Sequence, residues 1–315
     1  MAPMSKTLAP SIVTTRDPKG IKFMSIVEAA YNKAGLFEED AQRVNEASGL
    51  SDLLAKFIAE NRCKFRNEEV RSSWTYSKEY KGPKPIGNQI KDLAKIFDLN
   101  PAAALEYAKN LPELPEGAEG WFAIPSVDAL SRRYFPEVTD PVKKYCRAIQ
   151  KVAALQLSYY RNEDITPAHL RLSDHTTAAL DQLAETQKGD IMIIAAQLGM
   201  RHRGRSTRRA REVFVINEFG LGSLIVGSII LTHPERLIHF QQLNIDCPGD
   251  EFSPNADGQF NQATYFASLG DWISLSTADS ACAYDRFGSA SGFLPLPVFF
   301  RFRLSSASSL SKVEL

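Results

Sequence analysis

Residues 190–197 read DIMIIAAQ, a short apolar run bounded by turn residues, as a buried strand is. Before this run the apolar residues recur at helical intervals. After Gly189 they come in short stretches separated by polar and glycine-bearing breaks. That change of texture predicts an α+β protein, a helical N-terminal half packed with a mixed, strand-containing C-terminal half. The expected organisation is a flexible arm over 1–20, a helical region over 21–188, a mixed α/β region over 189–304 and a frayed tail over 305–315, with one composite domain or two at this length.

Working backwards, Ile26, Val27, Ala30 and Tyr31, then Leu50, Leu53, Leu54, Phe57 and Ile58, are spaced as two helices broken near Gly35. The stretch from Cys63 to Pro85 loses the period and ends in Gly-Pro-Lys-Pro, a loop or short hairpin. Ile86, Ile90, Leu93, Ala94 and Phe97 share one helical face, and Asn100-Pro101 closes that helix and opens the next. In outline this resembles a helix-turn-helix, but the second helix offers only Lys109 near its end, and a packing hairpin is the better reading. A Pro/Gly-rich connector over 111–125 carries Trp121 and Phe122 as core plugs, and helices begin again at Asp140-Pro141 and Ser173-Asp174.

Forwards from Gln197, strands are expected at Val213–Ile216, Ser223–Leu231, Leu237–Leu243, Ala263–Leu275 and Val298–Leu304. Leu221–Arg236 is equally compatible with a buried helix ended by Pro234 and Glu235. Its apolar run is roughly a dozen residues, where a bilayer needs about 20, so no membrane span is expected.

Thirty-seven basic residues balance 37 acidic ones, so affinity for a polyanion must come from local clustering. Cys63, Cys146, Cys247 and Cys282 lie far apart with no C-x-x-C pair, which indicates free thiols rather than a zinc ribbon or disulfide framework. The opening MAPMSKTLAP lacks an apolar h-region, and a cytoplasmic location is the expectation.

The sharpest local signal is RHRGRSTRRAR at 201–211, six arginines and one histidine with no acid among them. Guanidinium groups fork their donors to fit phosphate or carboxylate oxygens in pairs. Arg201, His202, Arg203, Arg205, Arg208, Arg209 and Arg211 are therefore the candidate phosphate or nucleic-acid site, with Gly204 allowing close approach and Ser206 and Thr207 adding hydroxyls. The competing reading pairs these arginines with the chain's own acids, Glu212, Glu218, Glu235 and Asp246 among them. Aromatic residues for base stacking are absent inside the cluster.

A second constellation, DCPGDEFSPNADG at 246–258, reads as a turn-rich loop with Asp246, Asp250 and Glu251 as oxygen ligands for a divalent cation. It fails the EF-hand spacing. If His233 or His239 came near those acids, a metal-dependent phosphodiester hydrolase would result. Solvated turn chemistry is the plainer reading. No phosphate loop, nucleophile elbow or kinase signature occurs, and the glycines at 220, 222 and 227 miss the dinucleotide fingerprint.

The strings EYKGPKPI, LPEGAEGWFAIP, QLGMRHRGRSTRRAREVF, NEFGLGSLIVGS, LTHPERL, DCPGDEFSP and FGSASGFLP resemble those of an uncharacterised family of hypothetical proteins from uncultivated bacterial lineages. The likeness runs from about residue 50 to 295. It implies a bacterial cytoplasmic protein of one coherent unit and carries no reaction, ligand or partner. The residues themselves predict a cytosolic binding protein contacting RNA or DNA phosphate through the arginine segment. The alternatives are the metal-dependent hydrolase and a structural or assembly protein whose arginines are internally paired.

Overall fold

The computed structural model describes residues 14–156, 159–160, 162–238, 242–268 and 272–295. Its internal contacts divide the chain into one unit at Met1–Cys63 and another at Lys64–Leu315. The first unit holds α1 (Pro18–Lys33), α2 (Glu38–Glu46) and α3 (Leu50–Asn61). Three helices stand where two were expected, because a second break at Ala47–Gly49 follows the one near Gly35. Gly49 precedes α3 at φ 99°, a left-handed conformation in which a Cβ is strained. Of the expected arm, residues 1–13 lie outside the described residues and Pro18 already opens α1.

The second unit starts with an extended stretch over 64–85 and continues through α4 (Ile86–Phe97), α5 (Ala102–Tyr107), a 3-10 turn at Ala108–Asn110, β1 (Gly120–Pro125), α6 (Val127–Tyr134) and α7 (Pro141–Gln156). Then come β2 (Tyr159–Tyr160), β3 (Leu170–Leu172), α8 (Asp174–Thr186), β4 (Ile191–Gln197), a 3-10 turn at Met200–His202, and α9 (Thr207–Val213). The chain continues with β5 (Glu218–Gly220), α10 (Ser223–Thr232), a 3-10 turn at Pro234–Leu237, β6 (Asn244–Phe252), β7 (Gln262–Ser268), β8 (Ile273–Asp279), β9 (Phe287–Ser289) and β10 (Ser291–Phe293). The fold is α+β, with most helices in the N-terminal half. The expected strand at Val298–Leu304 and the tail from Ser305 lie outside the described residues.

Two sheets share the core. One has the order β1-β4-β10-β5, all antiparallel. β4 is its centre and every residue of it is buried, as the apolar run at 191–197 requires. Its partner β1 comes from the connector over 111–125, whose Phe122 is fully buried. The larger sheet runs β2-β8-β7-β6-β3, with β9 also on β6. The sheets meet at Ala290, between β9 and β10. Its N–H donates to Asp246 O (3.0 Å) and its carbonyl accepts from Leu221 N (3.1 Å).

α10 resolves the ambiguity at 221–236 in favour of a helix. Nine of its ten residues are buried, and it packs on α7, α4, β1, β6 and β7. A helix apolar on all sides shows no 3.6-residue period, so its sequence passes for a strand. Two of its hydroxyls are satisfied inside the core: Ser228 Oγ donates to Leu224 O at 2.7 Å and Thr232 Oγ1 to Ile229 O at 3.0 Å. Each fully buried Ile or Leu here contributes about 1.5–3 kcal/mol.

Candidate functional site

The arginine segment leaves β4 and winds back beneath residues 64–76. Gly204 sits at φ +74°, and a Cβ there would lie 2.2 Å from Val70 O. The close approach inferred for a ligand is thus taken by the chain's own backbone, since Val70 N donates to Gly204 O at 2.7 Å. Ser206 then caps α9, its hydroxyl accepting from Arg209 N at 3.1 Å and donating to Glu68 Oε2 at 2.6 Å.

Four of the six guanidinium groups meet carboxylates of this chain. Arg208 Nε lies 2.9 and 2.8 Å from the two oxygens of Glu68, and Arg208 Nη2 also bonds Glu68. Arg209 joins Glu69 at 2.6 Å and Glu212 at 2.8 Å. Arg205 joins Glu69 at 3.3 Å, and Arg201 joins Glu218 at 3.2 Å. The other two bond main-chain carbonyls. Arg211 donates to Pro248 O (2.7 Å) and Asp250 O (2.6 Å), and the exposed Arg203 to Trp74 O (3.0 Å). The segment's charge is therefore largely balanced from within, the alternative weighed for this run.

His202 is built into the same network. Its Nδ1 is 2.9 Å from Arg205 Nη1 and its Nε2 is 2.7 Å from Glu218 Oε1. A guanidinium only donates, so Nδ1 accepts and Nε2–H donates. Burial holds the imidazole pKa below its ordinary value despite the carboxylate. Glu218 Oε1 also accepts from Ser291 Oγ at 2.6 Å. Burial pushes its carboxyl up, but the bonds from His202 and Ser291 win and hold it below the usual range.

The second constellation does not assemble. Residues 244–252 form β6 rather than a turn-rich loop, with Asp246 opposite Tyr265 of β7 and Asp250 and Glu251 opposite Leu172 and Arg171 of β3. Asp250 is fully buried and already accepts from Tyr145 Oη (2.5 Å), Ser223 N (2.9 Å) and Thr264 Oγ1. Burial raises its pKa against those hydrogen bonds. Glu251 faces Arg171 across β3 at 2.8 Å. Asp246 is buried, and desolvation pushes its pKa up to about 8.

His233 is equally occupied. Its Nε2 accepts from Lys84 N at 2.9 Å and its Nδ1 lies 3.2 Å from Ile229 O, while Phe122 and Tyr80 meet the ring edge-on. Asp250, Glu251 and His233 thus have separate partners, and the Asp246 carboxyl has none among the described residues. Among the described residues no group of three His, Cys, Asp or Glu side chains is placed to hold a metal ion. His239 lies outside the described residues.

Of the acids proposed as counter-charges, Glu212 and Glu218 pair with the arginines, whereas Glu235 pairs with Lys84 at 3.3 Å. Glu68 and Glu69 escaped the sequence reading. They stand about 140 positions upstream in NEEV, and their signal is an acidic doublet inside an otherwise basic, aromatic stretch. A further polar cluster was also not foreseen: Tyr76 donates to Glu119, and the fully buried Arg236 guanidinium lies 3.8 Å above the Tyr76 ring. Arg236 donates to Leu198 O (2.7 Å) and Leu243 O (3.0 Å), tying the end of β4 to the start of β6.

No family model, no curated protein and no solved structure matches the chain.

Proposed function

We propose that this is a structural, partner-assembling protein that associates with a second copy of itself through its N-terminal helical unit. The observation carrying this reading is that none of the residues of α1, α2 and α3 is fully buried. Phe37 is 81% exposed, Leu53 67% and Ile26 60%, with Leu50, Phe57 and Ile58 each more than half exposed. Large apolar side chains exposed in this number on one short unit favour a protein contact. Helices of 9 to 16 residues are also marginal in water without a packed face, so this unit gains from a cover.

Charge favours a second copy as that cover. α1 carries Lys19, Lys22 and Lys33 against Glu28, whereas α2 carries Glu38, Glu39, Asp40 and Glu46 against Arg43. A basic helix and an acidic one on the same unit are complementary when two copies meet head to tail. The phosphate-contact reading has less support, because carboxylates within the chain meet Arg201, Arg205, Arg208 and Arg209. No helix among the described residues is long and apolar enough to cross a membrane.

Sedimentation velocity on the full chain tests the reading. The wild type is expected to run as a multiple of 35.0 kDa, and Leu53→Asp with Phe57→Asp as a single 35.0 kDa species with unchanged β-sheet circular dichroism. A wild-type chain that stays monomeric at tens of micromolar overturns it.

A further inference from the structure

The second unit holds an open groove of about 550 Å³ between α5 with its 3-10 turn and the end of α8, a size in the range of small-molecule sites. Its apolar lining comes from Ala103, Ala104 and Ile191, with Gly189 at the base. The Tyr107 ring also lines it, and partial burial raises that phenol's pKa.

The polar groups around this surface divide sharply by whether they are already engaged. Glu106 is bonded to Lys109, and Gln187 spends its amide on both the N–H and the carbonyl of Ile193 (2.7 and 2.8 Å). The nearby Asp190 is held by Arg132 at 2.7 Å and by Asn100 N at 3.0 Å. The ammonium of Lys188, the amide of Asn110 and the hydroxyl of Tyr107 have no such partner among the described residues. An apolar lining beside an unengaged cation, with the lining carboxylate of Glu106 already engaged, is complementary to an apolar body bearing one negative charge.

We propose that this groove is a binding site for a small aromatic monoanion, its ring laid on Ala104 and Ile191 beside Tyr107 and its carboxylate or sulfonate on Lys188. A divalent cation or a sugar phosphate fits less well: the one carboxylate lining the groove is engaged by Lys109, and Lys188 is the single unpaired cation there. The proposal does not depend on self-association.

The probe is 8-anilinonaphthalene-1-sulfonate, titrated into the full chain and read by fluorescence. A saturable one-site enhancement is expected, retained in Lys188→Arg and weakened about tenfold or more in Lys188→Glu. Ala103→Trp, which fills an exposed wall without touching the core, is expected to remove it. The Leu53→Asp, Phe57→Asp variant is expected to bind as the wild type does, which separates this site from the N-terminal helices. Absence of a saturable phase, or equal affinity in the wild type, Lys188→Glu and Ala103→Trp, overturns the proposal.

Discussion

Arg208 clasps Glu68 across 140 positions of sequence, its Nε 2.9 and 2.8 Å from the two carboxylate oxygens while its guanidinium carbon lies 4.4 Å from the centre of the Phe65 ring. This pair pins the extended stretch after Lys64 to the start of α9. Glu68 is held below its usual range chiefly by this guanidinium, which outweighs the upward push from burial, with Ser206 adding a smaller downward pull.

Removing either partner should cost stability, but modestly, because the Arg208 side chain is 39% exposed and solvent screens the pair. Arg208→Ala and Glu68→Ala are each expected to lower unfolding free energy by about 1–2 kcal/mol, and a double-mutant cycle to return a coupling of about 1 kcal/mol. Arg208→Lys should recover less than half, since an ammonium cannot reproduce the fork. Additive single mutants in urea titrations would contradict the account.

The same balance predicts how the segment behaves toward polyanions. If Arg205, Arg208 and Arg209 are neutralised within the chain, replacing all three by alanine should leave the salt slope of retention on single-stranded RNA or DNA unchanged. The urea midpoint should fall instead. Three phosphate contacts, by contrast, would reduce the slope by about two to three. Retention measured at several salt concentrations on both proteins decides between the outcomes.

How much of this was legible follows from the range of each interaction. The core strand at Ile191–Gln197 and the helices α4, α5, α7 and α8 are written locally, in periodicity and in the caps at Ser173 and Asn100, and the sequence shows them. α10 is ambiguous between helix and strand in the sequence because burial on every side erases its period. β6 was hidden by Pro248 and Gly249, which read as turn residues but occupy the irregular part of a strand where Arg211 caps the carbonyls. For the arginines the sequence shows positive charge without its counter-charge, since Glu68 and Glu69 arrive from a distant segment. Dense charge alone cannot distinguish a ligand site from a strut.

A buried carboxylate closes the entrance to α10, and Gly222 shows how tightly. A Cβ on Gly222 would stand 2.2 Å from Tyr145 Oη and 2.7 Å from Asp250 Oδ1. Its φ of −88° suits any residue, so the obstacle is steric and not conformational. Gly222→Ala should therefore cost about 3 kcal/mol or more by prising Tyr145 from a fully buried Asp250. A thermal midpoint within a degree or two of wild type would show that the pair is looser than the geometry indicates.

Asp246 gives the protein a pH dependence of unusual sign for an acid. Asp246 is 6% exposed, its carboxyl draws no hydrogen bond or cation among the described residues, and burial lifts its pKa from 3.8 to about 8. The unfolded chain releases this proton near pH 4 while the folded chain keeps it. Stability contributed by Asp246 is thus complete below about pH 4, declines steadily through neutrality and levels off above about pH 8. The two buried histidines act oppositely: desolvation lowers the pKa of His202 and His233, so their contribution holds above pH 6.5 and falls away on acidification. Asp246→Asn isolates the first effect, since the amide neither titrates nor changes the shape. The variant is expected to gain on the wild type progressively from pH 4 to pH 8, by an amount of order a few kcal/mol, and to run parallel beyond. Urea unfolding at pH 4.5, 6, 7.5 and 9 measures the difference directly, and a difference that does not change between pH 4.5 and 7.5 would mean that Asp246 ionises within the fold.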